Sequence, residues 1–89
     1  MTIRFIKEEN RAVAYNQELE IVECIFNEMA DTWIILHTGV DDAYRGKGIA
    51  KELVKCVRKN AIRYNKKLAA ECSYAKKILE ENVTTQKEK

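Results

Sequence analysis

Val40-Asp-Asp-Ala-Tyr-Arg-Gly-Lys-Gly-Ile-Ala-Lys-Glu-Leu-Val54 joins a β-branched run to an amphipathic helix through a basic turn punctuated by two glycines. Gly46 and Gly48 carry no Cβ, so the backbone there can approach a ligand closely or adopt positive φ. The first N–H groups of the following helix lack intrahelical partners and point out of its positive end. Together with Arg45 and Lys47 they make a cradle suited to a phosphate or pyrophosphate.

The flanking patterns set the architecture around that turn. Upstream, residues 32–40 form the strongest strand signal, with Trp33, Ile35 and His37 on one face and Ile34, Leu36, Thr38 and Val40 on the other, as in a central strand. Residues 2–8, 11–15 and 19–26 also read as strands, with Asn16-Gln-Glu as a hairpin connection and residues 27–31 returning the chain. Downstream the period changes: Ile49, Ala50, Leu53, Val54, Val57, Ala61 and Tyr64 recur at spacings of three and four, one buried helix face, until Asn65-Lys-Lys ends it. Leu68, Ala70 and Cys72 then share one face of a short strand, and a second helix runs from Ser73 to about Glu81. The expected fold is α/β (α+β): a mixed, mainly antiparallel five-stranded sheet, a long helix in a right-handed crossover between parallel strands 4 and 5, and a short C-terminal helix. Residues 1–82 make one domain and 83–89 a polar tail.

Composition excludes several classes. The chain has 89 residues, 46% apolar and 34% charged, which suits one small globular domain. Its 16 basic and 14 acidic residues leave a formal charge of +2, so nucleic-acid binding would need strong local clustering. Lys47, Lys51, Lys55, Arg58 and Lys59 do cluster, but Glu52 interrupts them and no aromatic residues are interleaved, so a solvated helix face accounts for them. No apolar run reaches the length of a signal-peptide core or a membrane span, and cytoplasmic residence is expected without membrane or nucleic-acid partners. Cys24, Cys56 and Cys72 are odd in number and far apart, so free thiols are expected rather than disulfides or a zinc site.

Two nucleotide motifs fail against the turn. A Walker-type loop needs four residues between its first glycine and Gly-Lys, then Ser or Thr; Gly39 lies too far from Gly46, and Gly48 follows Lys47. A dinucleotide fingerprint starting at Gly46 would place Lys51 at its third small position. What remains, Arg-Gly-Lys-Gly-Ile-Ala with Leu53-Val54 in the same helix, resembles the coenzyme A pyrophosphate loop of the GNAT superfamily of acyl-CoA-dependent N-acyltransferases. His37-Thr-Gly-Val40 and Cys72-Ser-Tyr-Ala75 extend the likeness to the superfamily's short single-domain members. The resemblance implies a minimal GNAT-like fold and an N-acetyltransferase that takes acetyl-CoA (coenzyme A) and an amine acceptor the sequence does not name. It places the pyrophosphate on Arg45, Gly46, Lys47, Gly48, Ile49 and Ala50, and the thioester and pantetheine against the backbone of Thr38, Gly39 and Val40, between splayed strands 4 and 5. The alternative is a non-catalytic coenzyme A sensor or protein-interaction module.

The chemical candidates are Cys72, His37 and Tyr74. Cys72 precedes a helix whose N-terminus would lower its pKa and favour thiolate, for acyl or proton transfer. Spacing alone favours a small buried thiol on the Leu68–Ala70 face, and the resemblance brings the reactive reading level with it. His37 has the intrinsic pKa of a base, or fills a partly buried position as an aromatic-like side chain. Tyr74 could protonate a leaving thiolate, or pack with its hydroxyl in water. Glu71 points away from Cys72 in a regular strand, and Cys24 and Cys56 are assigned to packing.

Overall fold

The computed structural model describes residues 1–87, with side-chain surroundings as far as Glu80. Five strands, β1 (Thr2–Ile6), β2 (Arg11–Asn16), β3 (Leu19–Met29), β4 (Thr32–Val40) and β5 (Lys67–Ala70), lie side by side in chain order. The first four are antiparallel and β5 runs parallel to β4. The long helix α1 (Ile49–Arg63) makes the crossover and α2 (Ser73–Lys87) follows β5. The mixed five-stranded sheet and its crossover helix agree with the expectation from sequence.

Element ends depart from it for local reasons. β1 stops at Ile6 because Lys7–Glu9 coil into a 3₁₀ turn closed by Asn10 in the left-handed region. β3 continues past Phe26 to Met29, since Asn27, Glu28 and Met29 pair with Ile34, Trp33 and Thr32 and the chain reverses through Ala30 at φ 54°. The carboxylate of Glu28 accepts from Lys7 at 3.2 Å and Lys66 at 3.0 Å, which tethers this polar extension. β5 ends at Ala70 and excludes Cys72, because the N–H groups of Glu71 and Cys72 both donate to Ile35 O and the chain bends there. α2 runs on to Lys87, into the stretch expected as a tail; Glu88 and Lys89 lie outside the described residues.

Helix α1 stops at a Schellman motif. Asn65 takes φ 59°, its N–H donates to Ile62 O at 3.0 Å, and Lys66 N–H donates to Ala61 O at 2.7 Å, so the last carbonyls are satisfied. The buried stripe of α1, Ile49, Ala50, Leu53, Val54, Val57 and Ala61, packs on Ala12, Ala14, Val22, Cys24, Phe26, Trp33 and Ile35 of the sheet. Ala75 and Ile78 of α2 join the same core. Phe5, Phe26 and Trp33 stack at one end, with centroids 4.4 Å apart for Phe26 and Trp33. No helix among the described residues is long and apolar enough to cross a membrane.

The feature that positions the site is a bulge in β4. Ile25 pairs with His37 but Phe26 pairs with Ile35, so Leu36 is an extra residue opposite β3. Side-chain parity therefore changes. Trp33 and Ile35 face α1, and after the bulge Thr38, opposite Cys24, faces the same way. His37 is turned to the other face with Ile25 and is exposed, contrary to the strict alternation that grouped it with Trp33 and Ile35. Leu53→Ala, which opens a cavity in the fully buried stripe, is expected to lower unfolding free energy by about 2–5 kcal/mol in urea titration. Leu36→Ala, at the exposed bulge, should change it by about 0.5 kcal/mol or less.

Candidate active site

The basic turn is built as the glycines require. Gly46 and Gly48 sit at φ 76° and 78°, and Gly48 is the N-cap of α1. A Cβ at either position would meet no atom within 4 Å, so glycine answers the backbone conformation here and the space beside it stays open. No side chain caps α1, which leaves its first N–H groups facing that space. Asp41 and the 3₁₀ turn Asp42–Tyr44 hold the approach: Asp41 N–H donates to Ile21 O at 2.8 Å and its carboxylate accepts from Ala43 N–H at 3.0 Å. The Tyr44 hydroxyl accepts from Asn16 Nδ2 at 2.6 Å, tying the turn to the end of β2. Arg45 is exposed, with Nε donating to Asp42 at 2.8 Å.

A groove of about 350 Å³ runs from this turn along β4, lined by Thr38, Val40, Tyr44, Arg45, Gly46, Gly48, Ile49, Ala50 and Tyr74. It gathers most of the residues expected to bind a cofactor and adds Tyr44. The sequence signal for Tyr44 was weak: one aromatic in a polar turn, whose anchor Asn16 is distant in the chain. Lys47 does not line the groove, and Gly39 lines a separate shallow groove with Glu20, Ile21, Val22, Glu23 and Asp41. Pairing of β4 with β5 ends at Ile35 and Ala70, while β4 itself continues to Val40. The two strands thus part beside the groove, and the edge of β4 there can pair with the amides of a linear ligand.

Cys72 sits at the inner end of that parting, as the N-cap of α2, its carbonyl accepting from Lys76 N–H at 2.9 Å. Its thiol lies 3.6 Å from Thr38 Oγ1. Burial pushes this half-buried thiol up, but hydrogen bonds from the backbone of Ala75, the Thr38 hydroxyl and the backbone of Tyr74 and Thr38 outweigh it, and its pKa falls below the ordinary thiol value. Tyr74, two residues on, contributes to the groove wall. His37 is not brought to Cys72; its ring lies over Gly39, where an added Cβ would come within 2.9 Å of Nε2. Glu71 is exposed. All three cysteines are free thiols. Cys24 is fully buried and burial pushes it up to about 12; burial also raises Cys56.

Comparison with known proteins decides the family. The family model for GCN5-related N-acetyl-transferases matches residues 8–87. The chain belongs to the GCN5-related N-acetyltransferase family. A GCN5-like family protein from Staphylococcus aureus, solved in solution, shares 31% identity over 96% of this chain and 83% of its own, with a TM-score of 0.72. A ribosomal-protein-alanine N-acetyltransferase from Brucella melitensis superposes with a TM-score of 0.68 at 22% identity, over 80% of this chain and 60% of its own, a likeness of fold. Among curated relatives, Protein NATD1 of Homo sapiens is 44% identical over 46 residues, 52% of this chain and 41% of that protein. The matched stretch spans well under half the length of those curated relatives.

The three thiols of this family member should react differently. In iodoacetamide labelling followed by peptide mass across a pH series, Cys72 is expected to alkylate with a midpoint below that of an ordinary thiol, since its thiolate persists as pH falls towards its lowered pKa. Cys24 should remain unlabelled until the protein is unfolded.

Proposed function

We propose that the chain is an N-acetyltransferase that takes acetyl-CoA as acyl donor and an amine as acceptor. The observation that carries this reading is the run of the groove: it opens on the uncapped start of α1 at Gly46 and Gly48 and passes along β4 at Thr38 and Val40, and Cys72, which does not itself line it, lies with its thiol 3.6 Å from the Thr38 hydroxyl. A pyrophosphate suits the first end, because open space and free N–H groups coincide there. Arg45 and the N–H groups at Ile49 and Ala50 would hold it, and the backbone of Thr38, Gly39 and Val40, along the part of β4 that β5 does not pair, would hold pantetheine amides. When bound, coenzyme A supplies an activated thioester.

The residues around the parting supply the rest. The amine must lose a proton as it attacks, and Cys72, held towards thiolate by the start of α2, takes either that proton or the acyl group itself. Tyr74 stands on the wall where a departing thiolate would need a proton. His37, on the opposite face of β4, would act only on an acceptor approaching from that side. The CoA-bound aminoglycoside N-acetyltransferase AAC(6')-Iy shares the fold, with a TM-score of 0.57 at 14% identity over 84% of this chain and 63% of its own. A second reading, a coenzyme A-binding module without transfer, draws on one feature. Only the 3₁₀ turn Lys7–Glu9 and Asn10 separate β1 from β2, so no helix there walls an acceptor site.

Calorimetric titration with acetyl-CoA, then intact mass after incubation with a panel of amines, tests both. Saturable binding with acetylated amine is expected, and an acetyl adduct lost in Cys72→Ser would identify the covalent route. Binding without transfer would favour the second reading, and absence of coenzyme A binding beside salt-sensitive binding of nucleic acid would sink both. Gly48→Val should weaken binding by about tenfold or more, because a β-branched residue abandons the left-handed conformation that aims the N–H groups. Its melting temperature should fall by only about 4–8 °C for each kcal/mol of backbone strain.

A further inference from the structure

Behind Cys72 two more side chains stand in line. Thr38 Oγ1 lies 3.6 Å from Cys72 Sγ and 4.0 Å from Cys24 Sγ, so one hydroxyl on β4 bridges a half-buried thiol before α2 and a fully buried thiol on β3. Only the bulge at Leu36 makes this possible, by turning Thr38 to the face of Cys24. A hydroxyl has one hydrogen to give and lone pairs to receive. With Cys72 protonated, its S–H donates to Thr38 Oγ1 and the Thr38 hydroxyl donates to Cys24 Sγ. When Cys72 releases its proton to solvent, that pattern cannot persist. The Thr38 hydroxyl must turn to donate to the new thiolate, and its oxygen then needs a donor from behind.

We propose that Thr38 and Cys24 are positioning residues for Cys72: a reversible hydrogen-bond relay in which Cys24 S–H donates to Thr38 and the Thr38 hydroxyl donates to the Cys72 thiolate. The relay rests on the acetyltransferase reading for its purpose, which is to keep the thiolate formed beside the acyl groove. Cys24 suits the rear position because burial holds it protonated, with a pKa pushed up to about 12, so it always has a hydrogen to give. An apolar residue of similar size would fill the core but leave the turned hydroxyl oxygen without a donor.

Other groups near Cys72 act from different directions. From α2 come the Ala75 and Tyr74 amides, the exposed Lys76 one turn on and the Tyr74 phenol. Glu71 adjoins Cys72 in the chain and is exposed, so its repulsion and the attraction of Lys76 are both screened by water. Cys56 of α1 acts on Cys24, and His37 lies across the sheet. Among the described residues, the Thr38 hydroxyl is the side-chain group that contacts both Cys72 and Cys24.

The test is the pH dependence of iodoacetamide alkylation at Cys72, read by peptide mass in the absence of coenzyme A, with circular dichroism melts confirming each fold. Thr38→Val keeps the shape and removes the hydroxyl, and should raise the alkylation midpoint by about one pH unit or more. Thr38→Ser keeps the hydroxyl and should leave the midpoint near that of the unaltered protein. Cys24→Ala should raise it in the same direction by a smaller amount, with Cys24→Val as a larger apolar partner that fills the site if the alanine variant melts early. An unchanged midpoint in folded Thr38→Val, or in both folded Cys24 variants, overturns the relay. Because no acyl donor is present, that result is distinct from a failure to bind coenzyme A or to transfer acetyl.

Discussion

At Leu36 three residues of β4 stand against two of β3, and the site depends on that single misfit. Without the extra residue, strict alternation would send Thr38 to the exposed face and His37 into the core beneath α1. With it, Trp33 and Ile35 anchor the strand on the helix, and Thr38 and Val40 still face inward to form one wall of the groove. A bulge also increases local twist. It sits one residue past the last pairing of β4 with β5, where the strands begin to separate. The double use of Ile35 O by Glu71 and Cys72 N–H completes the parting, because it ends β5 and turns the chain directly into α2.

The two helices then meet the groove by their N-termini, each with a different task. α1 begins at a glycine that offers no capping side chain, so its free N–H groups remain available to a ligand anion. α2 begins at Cys72, whose sulfur takes up the equivalent groups of Tyr74 and Ala75. One helix end is thus left open while the other is satisfied from within the chain by a potential anion. Asn16 holding Tyr44, and Ile21 holding Asp41, fix the turn that leads from β4 into α1 against the β2–β3 end of the sheet.

Much of this was legible in the residues. The three-four spacing of Ile49 to Ala61 is unambiguous because one helix face alone is buried, and Gly46 and Gly48 announced the turn because few other residues adopt its φ. The bulge was not legible. Nothing in Trp33-Ile-Ile-Leu-His-Thr-Gly distinguishes an extra residue from continued alternation, since Ile34 and Leu36 are as apolar as the residues that enter the core. The placement of His37 and Thr38 is a property of the β3 register rather than of β4 itself. The extension of β3 to Met29 was hidden for a related reason: Asn27 and Glu28 look like turn residues, and only the distant Lys7 and Lys66 explain why Glu28 remains in a strand.

The three cysteines show most clearly what spacing leaves open. Burial acts first on all of them and in the same direction, upward. Hydrophobic placement therefore cannot separate a reactive thiol from a structural one. The difference lies in the donors. Cys56 has the Asn60 amide at 3.8 Å and Cys24 has the Thr38 hydroxyl at 4.0 Å, too little in each case to offset burial. Cys72 collects the start of a helix and the same threonine, and for it alone the donors prevail. Thr38 thus contributes to both ends of the contrast: it touches the buried thiol and the half-buried one, and the balance tips towards the thiol that also caps α2.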